Sequence, residues 1–206
     1  MPKLTHDALT FARANKLSLL PPQVSKYFPP ETPFVRLGVW GNGSCFFNSL
    51  CAAMNHRGYL DATGEQQKRI GSEYRCRFAQ KITDERWNEF METTGDETLN
   101  AAQARRNFCT STTWANQPMI TFVSQVLSLN ILFIDTSISK LFCGVHGNAN
   151  EPMIIILWVE RSHFEPVGAC RALHPKKTGV QFVFDPVRDA QVVNHIVDAY
   201  RAQCDV

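Results

Sequence analysis

The run Gly41-Asn42-Gly43-Ser44-Cys45 opens directly onto the apolar stretch Phe46-Phe47-Asn48-Ser49-Leu50, and no other junction limits this chain's fold as tightly. Two glycines let the backbone turn sharply and approach a bound molecule closely. The residues that follow read as a helix with a broad apolar face: Phe46, Leu50, Ala53 and Met54 fall on one side, with Phe47 and Cys51 beside them. Such a helix must be buried. Its first residue is a cysteine, placed where exposed N–H groups stabilise negative charge and lower a thiol's hold on its proton. The N–H groups around Asn42, Gly43 and Ser44 are candidates to hold a developing oxyanion. Cys45 is therefore a candidate nucleophile.

A thiol needs a base, and Ser162-His163-Phe164-Glu165-Pro166-Val167 supplies one far downstream. In a strand, residues i and i+2 share a face, so His163 and Glu165 point together while Phe164 points away. The carboxylate then holds one ring nitrogen and leaves the other for the thiol. Asn42 and Asp135 are alternative orienting groups. His56 lies too far along the cysteine's own helix to reach back, at ~1.5 Å of rise per residue. This constellation is suited to acyl transfer through a thioester, with His163 protonating the leaving amine and then activating water. It calls for no cofactor and no metal.

These two segments together resemble the OTU (ovarian tumour) family of cysteine deubiquitinases. Gly43, Cys45, Phe46, Phe47 and Ser49 match the family's first signature, and His163, Phe164 and Glu165 match its second. Asn42 stands where the family usually has aspartate; it keeps the side-chain shape without the charge, and it also suits a left-handed turn. Residues 114 to 135 resemble the family's helix and following strand, so the likeness spans about residues 35 to 170. The resemblance implies a papain-like, OTU-type α/β (α+β) cysteine protease fold with a central mixed sheet packed between helices. It also implies hydrolysis of the bond between the ubiquitin C-terminal glycine and lysine, with catalytic Cys45, His163 and Glu165. The expected partner is ubiquitin, polyubiquitin or a ubiquitin-like modifier, and Trp114 is a candidate wall of the groove for its tail. The Phe46-Phe47 and His163-Phe164-Glu165-Pro166 variants are similar to viral members, which implies the cytoplasm of an infected cell. A second reading is an OTU-like module that binds ubiquitin with impaired catalysis.

The rest of the chain fits one such domain. Its 206 residues are 44% hydrophobic and 19% charged, the makeup of a single globular core. No apolar run approaches the ~20 residues that cross a bilayer, and the first residues lack the build of a signal peptide, so a cytoplasmic protein without a membrane partner is expected. A formal charge of +2 without a basic block argues against nucleic acid. Seven cysteines without dense pairing favour reduced thiols. Residues 1–33 read as an N-terminal extension, with a short helix over about 7–16 and a connector framed by Pro21-Pro22 and Pro29-Pro30; residues 34–206 read as the catalytic domain.

Further elements follow from local signals. Thr63-Gly64-Glu65-Gln66 has capping-box spacing ahead of Ile70, Tyr74 and Phe78. Trp87, Phe90 and Met91 mark a helix after Thr83, and Asn116 with Pro118 opens another. Runs at 131–134, 153–159 and 181–184 read as buried strands, with 163–167 as a hairpin return. Asp185-Pro186 reads as the cap of a final helix. The stretch 94–112 reads as polar helix and loop. Cys51, Cys76, Cys109 and Cys204 read as small buried hydrophobes. Cys143-x-x-His146 and Cys170-x-x-x-His174 have zinc-like spacing within each pair, but two apolar strands separate the pairs. Glycines 41 and 43 lack the Gly-Lys-Ser/Thr ending of a phosphate loop.

Overall fold

The computed structural model describes residues 11–94, 99–110, 113–142, 150–170 and 176–204. In chain order the elements are β1 (Leu17–Leu19), α1 (Pro22–Ser25), β2 (Phe34–Leu37), α2 (Cys45–Ala53), α3 (Gly64–Ala79), α4 (Asp84–Thr94), α5 (Ala101–Cys109), α6 (Gln117–Leu127), β3 (Asn130–Asp135), β4 (Lys140–Leu141), β5 (Met153–Val159), β6 (His163–Cys170), β7 (Val180–Gln181), β8 (Val183–Phe184) and α7 (Ala190–Cys204).

One sheet in the order β1-β2-β6-β5-β3-β4 organises the molecule. β3 and β5 run parallel and the remaining pairs antiparallel, so the sheet is mixed. Because side chains alternate along a strand, each strand feeds both faces. Ile131, Phe133, Ile154, Ile156 and Phe164 join one apolar layer with residues of α2 to α6. Leu132, Ile134, Ile155, Leu157 and Val159 join the other, with Val24 of α1 and with Val193 and Ile196 of α7. Double coverage explains why β3 and β5 read as continuous apolar runs.

The local signals act as read. Thr63 accepts from the Gln66 N–H at 3.4 Å while the Gln66 side chain accepts from the Thr63 N–H at 2.8 Å. Asn116 caps α6 through the Met119 N–H. Asp185 accepts from the N–H groups of Val187 and Arg188, but α7 begins only at Ala190, after a turn. The run at 181–184 is divided: β7 pairs with β6 and β8 with β5. β5 and β6 separate beyond the Ile155–Val167 pair, and β7 and β8 occupy the gap.

Two expectations change at the N-terminus and C-terminus. Residues 11–16 form a turn leading into β1 instead of a helix: the Asn15 N–H and the Lys16 carbonyl bond to Gly38, and the Lys16 N–H closes a turn on the Arg13 carbonyl; residues 7–10 lie outside the described residues. Cys45, Cys51, Cys76, Cys109 and Cys170 are free thiols, whereas Cys204 is disulfide-bonded, a consequence of tertiary placement that spacing does not reveal.

Candidate active site

The loop before α2 is held from below by buried polar side chains. Gly43 has φ 75°, a conformation open to glycine. Asn42 Oδ1 accepts from the Ser44 N–H at 3.3 Å and from Asn48 Nδ2 at 2.9 Å, and Asn48 Nδ2 also reaches the Trp40 carbonyl at 3.0 Å. Asn42 thus acts as the acceptor of a local turn, for which an amide oxygen suffices. A Cβ at position 71 would stand 1.8 Å from Asn48 Oδ1, so α3 carries glycine where it passes this amide. Trp40 Nε1 donates to Gln67 Oε1 of α3 at 2.8 Å.

Arg75, also on α3 and almost fully buried, completes the support. Its guanidinium donates to the carbonyls of Gly43, Phe108 and Asn107, each at 2.7 Å, and to that of Thr113. Fixing the Gly43 carbonyl fixes the plane of the peptide before Ser44. Sequence reasoning missed Asn48, Gln67 and Arg75. The available signal was a polar residue on an otherwise apolar helix face, beside Phe47 and Leu50 or beside Tyr74 and Phe78.

Cys45 occupies the first turn of α2 and is 7% exposed. Burial pushes its thiol up; the N–H groups of Phe164, Phe46 and Cys45 itself, and the Arg75 charge, act in the opposite direction. Phe164 directly follows His163 on β6, against which α2 packs. α2 is pinned there: Ser49 Oγ donates to the Phe164 carbonyl at 2.9 Å, and the Phe46 and Phe164 rings meet edge to face at 5.7 Å.

The His163 imidazole lies beneath the same loop. A Cβ on Gly41 would stand 3.7 Å from both its Nδ1 and its Cε1, so the Nδ1 edge faces the cysteine loop. Burial pushes this histidine down to about 4, against the opposing pull of the Val39 carbonyl. Nε2, on the other edge, stands 3.9 Å from Glu165 Oε1, close enough for attraction and too long for a hydrogen bond. The carboxylate is held mainly by other groups: the Ala12 N–H at 2.6 Å on Oε1 and Arg36 Nη1 at 3.3 Å on Oε2. Its burial raises it to about 7, with Arg36 and the Ala12 N–H pulling down.

The alternative groups are otherwise engaged. Asp135 accepts from Ser137 and pairs with Arg161 at 3.0 Å. The His56 ring packs on Tyr74 at 4.4 Å, beyond the end of α2. Cys170 donates its S–H to the Pro33 carbonyl at 3.4 Å, while Cys143, His146 and His174 lie outside the described residues. Among the described residues no cluster of three or more histidine, cysteine or acidic side chains is placed to hold a metal. Trp114 is 52% exposed, and the adjoining residues Ala115, Asn116 and Gln117 border a cavity of about 220 Å³ closed by Phe133, Trp158 and Phe164.

A cysteine on a helix start is set against the first residues of a strand that carries histidine and glutamate, within a mixed sheet flanked by helices. The chain has the fold of OTU domains. An OTU domain solved in complex with ubiquitin matches 85% of this chain and 89% of its own length, at a TM-score of 0.55 and 12% identity. The OTU domain of OTUD1 (16% identity, 65% and 85% covered, TM-score 0.49) and the viral OTU protease of Taggert virus (16%, 78% and 90%, 0.49) are also similar. No protein-family model and no curated protein matches in sequence.

Proposed function

We propose that this protein is a thiol-dependent ubiquitinyl hydrolase, a cysteine isopeptidase that cleaves the bond between the ubiquitin C-terminal glycine and a lysine amine. The observation that carries the reading is the convergence on one loop: α2, which begins at Cys45, is pinned to the Phe164 carbonyl through Ser49, and the Nδ1 edge of His163 lies against Gly41. That an OTU domain of the same fold was solved with ubiquitin supports the substrate.

The resting pair is a neutral thiol and a neutral imidazole, since burial raises one and lowers the other. The thiol proton passes to His163 as the sulfur attacks the carbonyl carbon. The oxyanion is received by N–H groups of Asn42, Gly43 or Cys45, while the Ser44 N–H already serves Asn42. Collapse breaks the C–N bond, and the imidazolium returns its proton to the leaving amine. Water, deprotonated by His163, then hydrolyses the thioester. Glu165 steadies the imidazolium, and Trp114 with the neighbouring cavity forms one wall of the approach.

Residues 34–206 are assigned to the catalytic domain and the cytoplasm, a host cell's if the chain is viral, to its location. Among the described residues no helix is long and apolar enough to cross a membrane. The test is release of a fluorescent amine from the ubiquitin C-terminus, followed by a panel of linkage-defined diubiquitins. Cys45→Ala should abolish turnover and leave ubiquitin binding intact. Binding without turnover in the unaltered chain would favour an impaired ubiquitin-binding module, for which the 3.9 Å gap between His163 and Glu165 is the supporting observation.

A further inference from the structure

Residues 11–16 lie outside both sequence motifs, yet they run across the acid–base half of the site. They are fixed at several points. The Asn15 N–H donates to the Gly38 carbonyl at 2.7 Å, and the Gly38 N–H donates to the Lys16 carbonyl at 3.0 Å. A Cβ at position 38 would stand 2.3 Å from the Arg13 carbonyl oxygen and 2.6 Å from that of Ala12, so the segment lies directly on β2's end. Asn15 adopts φ 64°, and its Oδ1 accepts from Gln67 Nε2 at 3.1 Å and from Lys177 Nζ. Gln67 is the residue that also holds Trp40 in the cysteine loop.

The anchored segment delivers two groups to the site. The Ala12 N–H meets Glu165 Oε1 at 2.6 Å, the same oxygen that faces His163. The Phe11 ring meets the imidazole edge to face at 5.0 Å while remaining 49% exposed. The half-exposed ring thus lays its sheltered side on the candidate base.

We propose that residues 11–16 form a strap that belongs to the catalytic machinery, in which Phe11 and the Ala12 N–H are positioning groups for His163 and Glu165. The proposal rests on the reading of His163 as the base. The Ala12 donor and Arg36 of β2 together keep a buried carboxylate in place beside Nε2. Phe11 excludes water from the imidazole and keeps its Nδ1 edge toward the cysteine loop. The other groups placed against the ring are the Val39 carbonyl and Gly41.

The experiment compares Phe11→Ala, Phe11→Tyr and Ala12→Pro in the full chain. Phe11→Ala is expected to lower kcat about tenfold or more, the scale of misplacing a catalytic group, with KM changed by less than about twofold. Ala12→Pro, which removes the donor, should do the same, and Phe11→Tyr should restore the rate. The His163 titration, followed by NMR of its ring protons, should move in Phe11→Ala from about 4 toward the ordinary 6.5. That titration needs no substrate, so it judges the strap even if the unaltered chain proves inactive on ubiquitin. Phe11 is half-exposed, so its variants should fold and carry the test if Ala12→Pro does not. An unmoved His163 titration, or a rate unchanged or increased by Phe11→Ala, would overturn the proposal, the last outcome marking a removable lid.

Discussion

At the scale of single residues, the site is governed by burial. His163 and Glu165 are both shifted toward their neutral forms, one down to about 4 and the other up to about 7. Their effects on stability oppose each other. Between about 4 and 6.5 the unfolded histidine holds the extra proton, so His163 makes stability rise with pH. Between 4.5 and about 7 the folded glutamate holds the extra proton, so Glu165 makes stability fall as pH rises. The two slopes nearly cancel where the windows overlap. Denaturant titrations across pH should show this: His163→Ala leaves a falling limb and Glu165→Gln a rising one, each of at most ~1.4 kcal/mol per pH unit. On turnover, Glu165→Gln should cost less than His163→Ala, because the carboxylate is held by Ala12 and Arg36 and transfers no proton. Equal, complete loss in both would give Glu165 a different role.

Cys45 and His163 are legible as candidates because each sits in a local pattern, a glycine turn before an apolar helix and a histidine two residues from an acid on a strand. What the sequence hid is the support. Gln67, Arg75 and Arg36 act across long separations, and nothing in a linear window says that a buried arginine faces four backbone carbonyls.

At the scale of elements, α3 is the scaffold of the cysteine loop. It presents Gln67 to Trp40, Gly71 to Asn48 and Arg75 to Gly43 within three turns of one face. Gly71→Ala should gain about 1 kcal/mol of helix propensity and lose about 1–3 kcal/mol to overpacking against Asn48. Calorimetry should therefore show a lower unfolding midpoint, and alkylation of Cys45 should slow as the loop shifts. Arg75→Gln should act more strongly, since each buried carbonyl left without a donor costs about 1–3 kcal/mol. The capping box of α3 is legible from its spacing, whereas the same device at Asn100 and Gln103 ahead of α5 does not stand out. There the apolar face is only Ala101, Ala104 and Phe108, too sparse to separate from the charged residues around it. The single strand read at 181–184 became two because pairing partners, not local propensity, decide where a strand ends.

At the scale of the whole molecule, the sheet joins parts that look independent in sequence. β1, from the N-terminal extension, is paired to β2, and β2 to the strand that bears His163 and Glu165. The proline pairs read as framing an extended connector, but the short helix α1 and turns lie between them, and composition alone carries no sign that its flanks enter a sheet. Deleting residues 1–20 should expose the β2 edge and the apolar residues beneath it, lowering the unfolding midpoint and favouring self-association in sedimentation.

In the proposed function, Cys45 is the thiol that His163 activates for attack on the ubiquitin C-terminus. The direct measurement is intact-mass analysis and peptide mapping after incubation with ubiquitin bearing an electrophilic C-terminus. One ubiquitin should attach per chain, at Cys45, with attachment greatly slowed in His163→Ala. No adduct, or an adduct at the exposed Cys109 in its place, would contradict it.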